Sequence, residues 1–167
     1  MTALLKIGLV SVSDRASQGV YPDQGIPELK NWLEQALVEP FEVVERLIPD
    51  EQPEIERTLC ELVDEAHCHL VLTTGGTGVT PRDLTPEATA PLLATRLEGI
   101  EAQIRAHGLS KTPLAGLSRG LVGVTSRGDD GALIVNAPGS RGGVKDTVAV
   151  IGPLVPHVLE QLDGGDH

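Results

Sequence analysis

One stretch of this sequence decides how the rest is interpreted: Leu70-Val71-Leu72-Thr73-Thr74-Gly75-Gly76-Thr77-Gly78-Val79-Thr80-Pro81-Arg82-Asp83. Its apolar start is typical of a short buried strand, and three glycines and three threonines follow almost at once. Because glycine has no Cβ, its main chain can come close to a ligand, and successive N–H groups can point at an anion. The stretch therefore predicts a phosphate-binding loop at the carboxyl end of a strand.

Strands and helices alternate before this stretch. We predict strands over residues 6–13, 41–48 and 69–73, separated by helices with apolar stripes. This order is typical of an α/β fold with three αβα layers and a mostly parallel central sheet. Two later apolar runs, 121–125 and 132–136, are joined by a linker rich in turn residues, which predicts a β-hairpin in the C-terminal part.

Two local features predict helix ends in the second half of the chain. We expect Thr85 to cap a helix that has Pro86 at its first position, since proline is favoured there. We expect Gly108 to close the helix that follows.

Size and charge limit the functions that are possible. The 167 residues predict a single domain over 1–167. The net charge of −11, with no cluster of Lys and Arg, argues against binding to nucleic acid or an anionic membrane. No apolar run approaches the roughly 20 residues of a membrane span, and no secretory signal is recognisable, so we expect a soluble cytoplasmic protein.

An acidic protein that binds an anion needs local compensation. Main-chain N–H groups can supply it, as can a divalent metal ion or a few placed cations such as Arg82, Arg141 and Lys145. The glycines fit neither the dinucleotide fingerprint nor the P-loop. The Cys and His residues around position 68 match no zinc-site spacing, so packing is favoured for them.

Two aspartates lie just past predicted strands. Asp83 follows the glycines, and Asp50 follows the second strand at the start of a helix. Either one alone fits a helix-entry acid, which the helix dipole favours. Together they lie on one rim of the sheet, where two carboxylates and substrate phosphates can bind Mg²⁺.

The same rim receives two further segments. Ser13 and Asp14 end the first strand, and a second glycine-containing loop, residues 138–143, precedes a helix whose free N–H groups can hold a phosphate or carboxylate. The candidate ligand-binding residues are Ser13, Asp14, Thr74, Gly75, Gly76, Thr77, Gly78, Pro138, Gly139, Ser140 and Gly142.

Several segments resemble the molybdopterin-binding domain of molybdenum-cofactor biosynthesis: 73–78, 81–86 and 136–140. The segments 8–17 and 47–52 are similar to the molybdopterin adenylyltransferase branch of that family. The resemblance runs over about residues 6–162. Its glycine motif is specific to the superfamily and not to one activity.

The resemblance implies a three-layer α/β fold and, usually, a homotrimer. It implies Mg²⁺-dependent transfer of AMP from ATP to the phosphate of molybdopterin, with release of pyrophosphate, and a molybdenum insertase as the downstream partner. The family's functional aspartates match Asp50 and Asp83, which are therefore the expected catalytic and metal-binding residues. Many relatives have a second proline and a lysine soon after the Pro-Gly pair, where this chain has Arg141-Gly142-Gly143.

Three alternatives remain open at this point. The chain could be a non-catalytic molybdopterin carrier or scaffold, which would bind the pterin without releasing pyrophosphate. It could be another enzyme on the same domain, although the deamidase and metal-insertion relatives carry extra domains. It could also be an unrelated nucleotide-binding α/β protein, which would bind ATP and ignore the pterin.

Overall fold

The computed structural model describes residues 4–165 and is built around a mixed sheet. Its strands are β1 Leu5–Val12, β2 Phe41–Ile48, β3 Leu70–Thr74, β4 Thr95–Arg96, β5 Val122–Val124 and β6 Leu133–Ala137. The strand order is β2-β1-β3-β6-β5-β4. The first four strands in that order are parallel, and β5 and β4 run antiparallel to their neighbours.

Helices cover both faces of this sheet. They are α1 Asp14–Ser17, α2 Gly25–Ala36, α3 Gln52–Cys60, α4 Thr85–Thr89, α5 Glu98–Leu109, α6 Arg141–Ile151 and α7 Val155–Leu162. A π-helical turn, Glu61–Glu65, extends α3, and 3₁₀ turns occupy Ala90–Leu92 and Pro113–Leu117. Within the described residues, no helix is long and apolar enough to cross a membrane.

Alternation along β1 explains why the sheet is covered on both sides. Ile7 and Leu9 belong to the apolar core beneath α2 and α6, whereas Val10 and Val12 belong to the core beneath α3. Successive side chains of a strand point to opposite faces, so a strand buried on both faces must be apolar almost throughout. The predicted three-layer α/β fold is therefore confirmed.

The hairpin prediction is also confirmed, because β5 and β6 pair antiparallel with Val122 opposite Val135. The short edge strand β4 was not predicted, since two residues carry no readable alternation. Gly108 lies inside the last turn of α5 and does not close it; the helix runs on to Leu109.

The capping prediction for Thr85 is wrong. The N-cap of α4 is Leu84, with no side-chain cap, and Thr85 is the first helical residue. The Thr85 hydroxyl instead donates to the carbonyl oxygen of Gly75 over 3.0 Å. Because Thr85 already has helical geometry it is not at the capping position, and its hydroxyl links the start of α4 to the residues that follow β3.

Candidate functional site

Two glycine-containing loops meet at one edge of the sheet. The first glycine loop, residues 74–78, continues β3, and the second glycine loop, residues 138–143, follows β6. Thr74 pairs with Ala137 across the two parallel strands, so both loops leave the sheet at the same level. The Thr74 hydroxyl donates to the carbonyl oxygen of Pro138 over 2.8 Å, and the Gly75 N–H donates to that of Ala137 over 3.2 Å. The two loops therefore form one continuous surface.

The path of the first glycine loop requires glycine at two consecutive positions. Gly75 has φ +96° and Gly76 has φ +68°, in the region that side chains disfavour. A Cβ on Gly75 would lie 2.3 Å from the carbonyl oxygen of Val12, and one on Gly76 would lie 2.3 Å from the Thr85 hydroxyl. The loop thus passes tightly between the end of β1 and the start of α4.

A cavity of about 590 Å³ opens between the two loops and the wall formed by α5 and the turn Pro113–Leu117. The predicted site residues that line it are Gly76, Thr77, Gly78, Asp83, Pro138, Gly139, Ser140 and Gly142. Gly76 and Gly78 are partly exposed, so the first glycine loop is open to a ligand although Thr74 and Thr77 are buried. Ser140 caps α6 through its hydroxyl, which accepts from the Gly143 N–H over 3.0 Å.

Asp83 is held against the far end of the first glycine loop. Its Oδ2 accepts from the Thr80 N–H over 3.0 Å and from the Thr80 hydroxyl over 2.8 Å. A Cβ on Gly78 would lie 2.7 Å from the same oxygen. Asp83 is half-buried and borders the cavity.

Asp50 approaches the same loop at Gly76. Its Oδ1 lies 3.2 Å from the position that a Cβ on Gly76 would take. Asp50 does not line the cavity itself, and neither do Ser13 and Asp14. The two predicted aspartates therefore both face the first glycine loop, Asp83 on the cavity side and Asp50 beside the end of β1.

Asp14 and Asp50 are fixed by each other's main chain. The Asp14 N–H donates to Asp50 Oδ2 and the Asp50 N–H donates to Asp14 Oδ1, both over 2.9 Å. Arg82 donates to both carboxylate oxygens of Asp14, over 3.0 and 2.8 Å. Ser13 caps α1, since its hydroxyl accepts from the Ala16 N–H over 3.2 Å.

Charge at this rim is only partly balanced. Burial raises the pKa of Asp50, and the negative charges of Asp14 and Asp83 raise it further, against the Asp14 N–H and Arg82, which lower it. The hydrogen bond from Arg82 lowers the pKa of Asp14. Over residues 4–165, no three His, Cys, Asp or Glu side chains come together as a ready-made metal site. A cation here would thus need oxygen ligands from a substrate or water as well.

Of the three cations that the sequence suggested for anion binding, one lies at the rim and two lie outside the lining of the cavity. Arg82 pairs with Asp14 at the rim. Arg141 pairs with Glu28 of α2 over 2.8 Å, and the Lys145 ammonium lies 4.9 Å from the centre of the Trp32 ring. Arg141 and Lys145 are absent from the lining of the cavity.

Sequence reasoning missed Arg119, which holds the first glycine loop from outside. Its guanidinium donates to the carbonyl oxygens of Gly78 over 2.7 Å and Asp83 over 2.9 Å. It also donates to the Glu87 carboxylate over 2.6 Å, which lowers the pKa of that carboxyl. Nothing in the sequence around position 119 indicates this role, because its partners lie more than 30 positions earlier.

The wall opposite the loops carries charges that were also missed. Arg105 and Lys111 line the cavity together with two buried acids, Glu101 and Asp146. The Arg96 guanidinium donates to the Glu101 carboxylate, and the Val122 N–H donates to it over 3.0 Å. Lys111 donates to Asp146 over 2.5 Å.

Comparison with known proteins gives a consistent result. Residues 8–157 match the family model described as "Probable molybdopterin binding domain". The chain is 60% identical to the molybdopterin adenylyltransferase of Haemophilus influenzae, over 98% of this chain and 87% of that one. It is 56% identical to the molybdopterin adenylyltransferase of Escherichia coli K12, over 96% and 86%.

Solved structures agree with the sequence comparisons. The molybdopterin biosynthesis enzyme MoaB of Thermus thermophilus superimposes with a TM-score of 0.85 at 39% identity, covering 96% of this chain and 98% of that one. The tungsten cofactor synthesizing protein MoaB of Pyrococcus furiosus gives the same TM-score at 27% identity, covering 98% and 100%. The segment matched by the family model includes both glycine loops and both aspartates.

Proposed function

The chain belongs to the family of molybdopterin-binding domains, and on that premise we propose that it is a molybdopterin adenylyltransferase of molybdenum cofactor biosynthesis. It transfers AMP from ATP to the phosphate of molybdopterin and releases pyrophosphate. The geometry supports this function through one observation: Asp50 and Asp83 approach the first glycine loop from two sides, and a cavity large enough for a pterin opens beside it.

The two glycine loops suit the phosphate of molybdopterin. Main-chain N–H groups of residues 76–78 and the N-terminus of α6 can hold an anion in a protein of net charge −11, where side-chain cations are few. The pterin then occupies the cavity, and ATP approaches from the side of Asp50. A phosphate oxygen of molybdopterin forms a bond to the α-phosphorus of ATP while the bond from that phosphorus to pyrophosphate breaks.

The residues present suit Mg²⁺. Burial raises the pKa of Asp50, and the negative charges of Asp14 and Asp83 raise it further; a cation bound at this rim would balance those charges. Carboxylate oxygens together with substrate phosphates are the ligands that Mg²⁺ prefers, and Asp50 or Asp83 would supply the protein oxygens. A bound Mg²⁺ would supply positive charge beside the departing pyrophosphate. No general base is required, because the attacking phosphate is already ionised.

The remaining features of the proposal concern the whole protein. We propose a single domain over 1–167 that acts in the cytoplasm as a homotrimer and delivers its product to a molybdenum insertase. An open apolar groove between α5 and α7, lined by residues such as Leu97, Ile100 and Val158, supports association of copies. Light scattering at several protein concentrations tests the trimer, and a monomer at high concentration would contradict it.

The deciding experiment is incubation with molybdopterin, ATP and Mg²⁺, followed by separate assays for adenylated pterin and for pyrophosphate. We expect both products in equal amounts, and neither when Mg²⁺ is chelated. Molybdopterin binding without either product would instead identify a carrier. Binding of ATP without binding of the pterin would identify an unrelated nucleotide-binding protein.

A further inference from the structure

A buried acid in the cavity wall takes no part in the chemistry proposed above. Asp146 lies on α6, four residues after Gly142 and therefore on the same face of the helix. Its side chain is only 8% exposed, yet it borders the cavity. An acid at such a position is costly to bury unless it is paired or serves a ligand.

The two oxygens of this carboxylate have different surroundings. Oδ1 accepts from the Lys111 ammonium over 2.5 Å and lies 3.4 Å from His107 Nε2. Oδ2 lies 3.9 Å from the position that a Cβ on Gly108 would take. Gly108 and Asp146 both line the cavity, and Gly108 has no side chain that could stand between Oδ2 and a ligand.

The wall around Asp146 is largely hydrocarbon. Ile104 of α5 and Leu114, Ala115 and Leu117 of the following turn line this part of the cavity. Leu114 and Leu117 are exposed to solvent in the free protein, with 68% and 53% of their surface accessible. Apolar faces with a few placed polar groups are typical of sites for flat heterocyclic rings.

We propose that Asp146 is the specificity-determining acceptor for the pyrimidine edge of the pterin ring, an inference that rests on the proposed function. A pterin presents two adjacent donors on this edge, the 2-amino group and the N3–H. A carboxylate offers two acceptor oxygens, each with two lone pairs, so Oδ1 can accept from Lys111 and from the ring together.

Adenine does not match this acceptor pair. Its exocyclic amino group lies beside a ring nitrogen that is itself an acceptor, so one carboxylate oxygen would meet a lone pair. The cavity therefore selects the pterin and leaves the adenine of ATP to the side of Asp50. Lys111 supplies the counter-charge for this carboxylate in an apolar wall.

The test uses two ring probes that need no turnover: pterin, and lumazine, which has an oxygen in place of the 2-amino group. We expect the wild-type protein to bind pterin about 10- to 100-fold more tightly than lumazine in fluorescence titrations, as for one hydrogen bond to a charged group. In Asp146→Asn the amide presents one donor and one acceptor, which match lumazine, so the preference should vanish or invert. The Kd for ATP should stay unchanged.

Lys111→Met is the matched control, because it removes the ion pair but keeps the carboxylate. It should keep the preference for pterin, and the double variant Lys111→Met/Asp146→Asn, which leaves no unpaired charge, should lose it. An unchanged pterin preference in Asp146→Asn would overturn the proposal. Equal loss of pterin and ATP binding in that variant would also overturn it.

These titrations separate this inference from the proposed function. A protein that prefers pterin through Asp146 but forms no adenylated product would contradict only the activity. A protein that forms the product with the same KM for molybdopterin in wild type and Asp146→Asn would contradict only the role of Asp146.

Discussion

Asp14 and Asp50 each donate a main-chain N–H to the other's carboxylate, and both hydrogen bonds measure 2.9 Å. The pair ties the start of α1 to the turn after β2, so the position of the Asp50 carboxylate is set by the ends of two neighbouring strands. Arg82 binds the outer side of Asp14 and completes the arrangement. The carboxylate that is proposed to hold the metal ion is therefore supported by backbone and not by a flexible side chain.

Asp50→Asn should raise stability at neutral pH while it lowers activity. The pKa of Asp50 is raised above 3.8 in the folded protein, mainly by burial. The folded state therefore binds this proton more tightly than the unfolded state, and the associated stability is lost as the pH rises through the folded pKa. At neutral pH the ionised Asp50 carboxylate destabilises the folded state, and the neutral amide of asparagine removes this destabilisation.

Denaturant unfolding of both proteins at pH 7 and at about pH 4 measures this effect. The stability gain of Asp50→Asn should be present at pH 7 and should shrink toward the lower pH. Added Mg²⁺ should raise the melting temperature of the wild type more than that of the variant, because a cation stabilises only the state that binds it. If Asp50→Asn were less stable than the wild type at pH 7, the predicted direction of the stability change would be wrong.

Asp83→Asn should lower kcat by about 100-fold or more, as is typical when a group that stabilises charge in the transition state is removed. The fold should persist, because the remaining amide oxygen can still accept from Thr80. Product formation at saturating Mg²⁺ and circular dichroism measure the two effects. Asp129→Asn, an exposed change of equal charge between β5 and β6, is the control and should leave kcat unaltered. Full activity of Asp83→Asn would remove Asp83 from the mechanism.

In Arg119→Lys, the lysine should not reproduce the hydrogen bonds that arginine makes at this position. The guanidinium donates to the carbonyl oxygens of Gly78 and Asp83 and to Glu87 at once, and a single ammonium cannot reproduce this fork. We expect the free energy of unfolding to fall by about 1–3 kcal/mol and the KM for molybdopterin to rise, since the loop loses its outer support. Arg127→Lys, on the exposed β5–β6 linker, is the control. Wild-type KM and stability in Arg119→Lys would show that charge alone is sufficient.

The local sequence pattern was sufficient to predict which segments lie at the carboxyl ends of the parallel strands. The apolar run that ends at Thr74 fixes where β3 stops, and the glycines beyond it can only form a loop. The same reasoning places Asp50 just past β2 and Asp83 just past the first glycine loop, so their approach to that loop follows from the parallel pairing of β1, β2 and β3. These features depend on residues close together in the chain.

The opposite wall of the cavity could not be predicted in the same way. Lys111 and Asp146 are 35 positions apart, and Arg119 reaches Gly78 across 41 positions. Their contacts depend on how α5 and the turn after it pack against α6, for which the local pattern contains no signal. Thr85 shows the limit of a local rule, because it lies inside α4 and its hydroxyl donates to the Gly75 carbonyl oxygen, whereas the pattern predicted a helix cap.

Gly75→Ala and Gly142→Ala should change stability in opposite directions. Gly75 has φ +96°, and its Cβ would meet the Val12 carbonyl oxygen at 2.3 Å, so alanine adds both backbone strain and a collision. We expect a loss of more than about 2 kcal/mol. Gly142 lies in the first turn of α6 with nothing within 4 Å of its Cβ position. There alanine should add up to about 1 kcal/mol, because it is the better helix former.

Thermal and denaturant unfolding of the two variants measure these changes, and molybdopterin titration adds a functional comparison. Gly142→Ala should retain binding if the ligand contacts only the main chain of the second glycine loop, whereas Gly75→Ala should lose it together with the loop conformation. Equal stability of the two variants would mean that the first glycine loop relaxes at no cost. That result would contradict the rigid loop on which the placement of the phosphate depends.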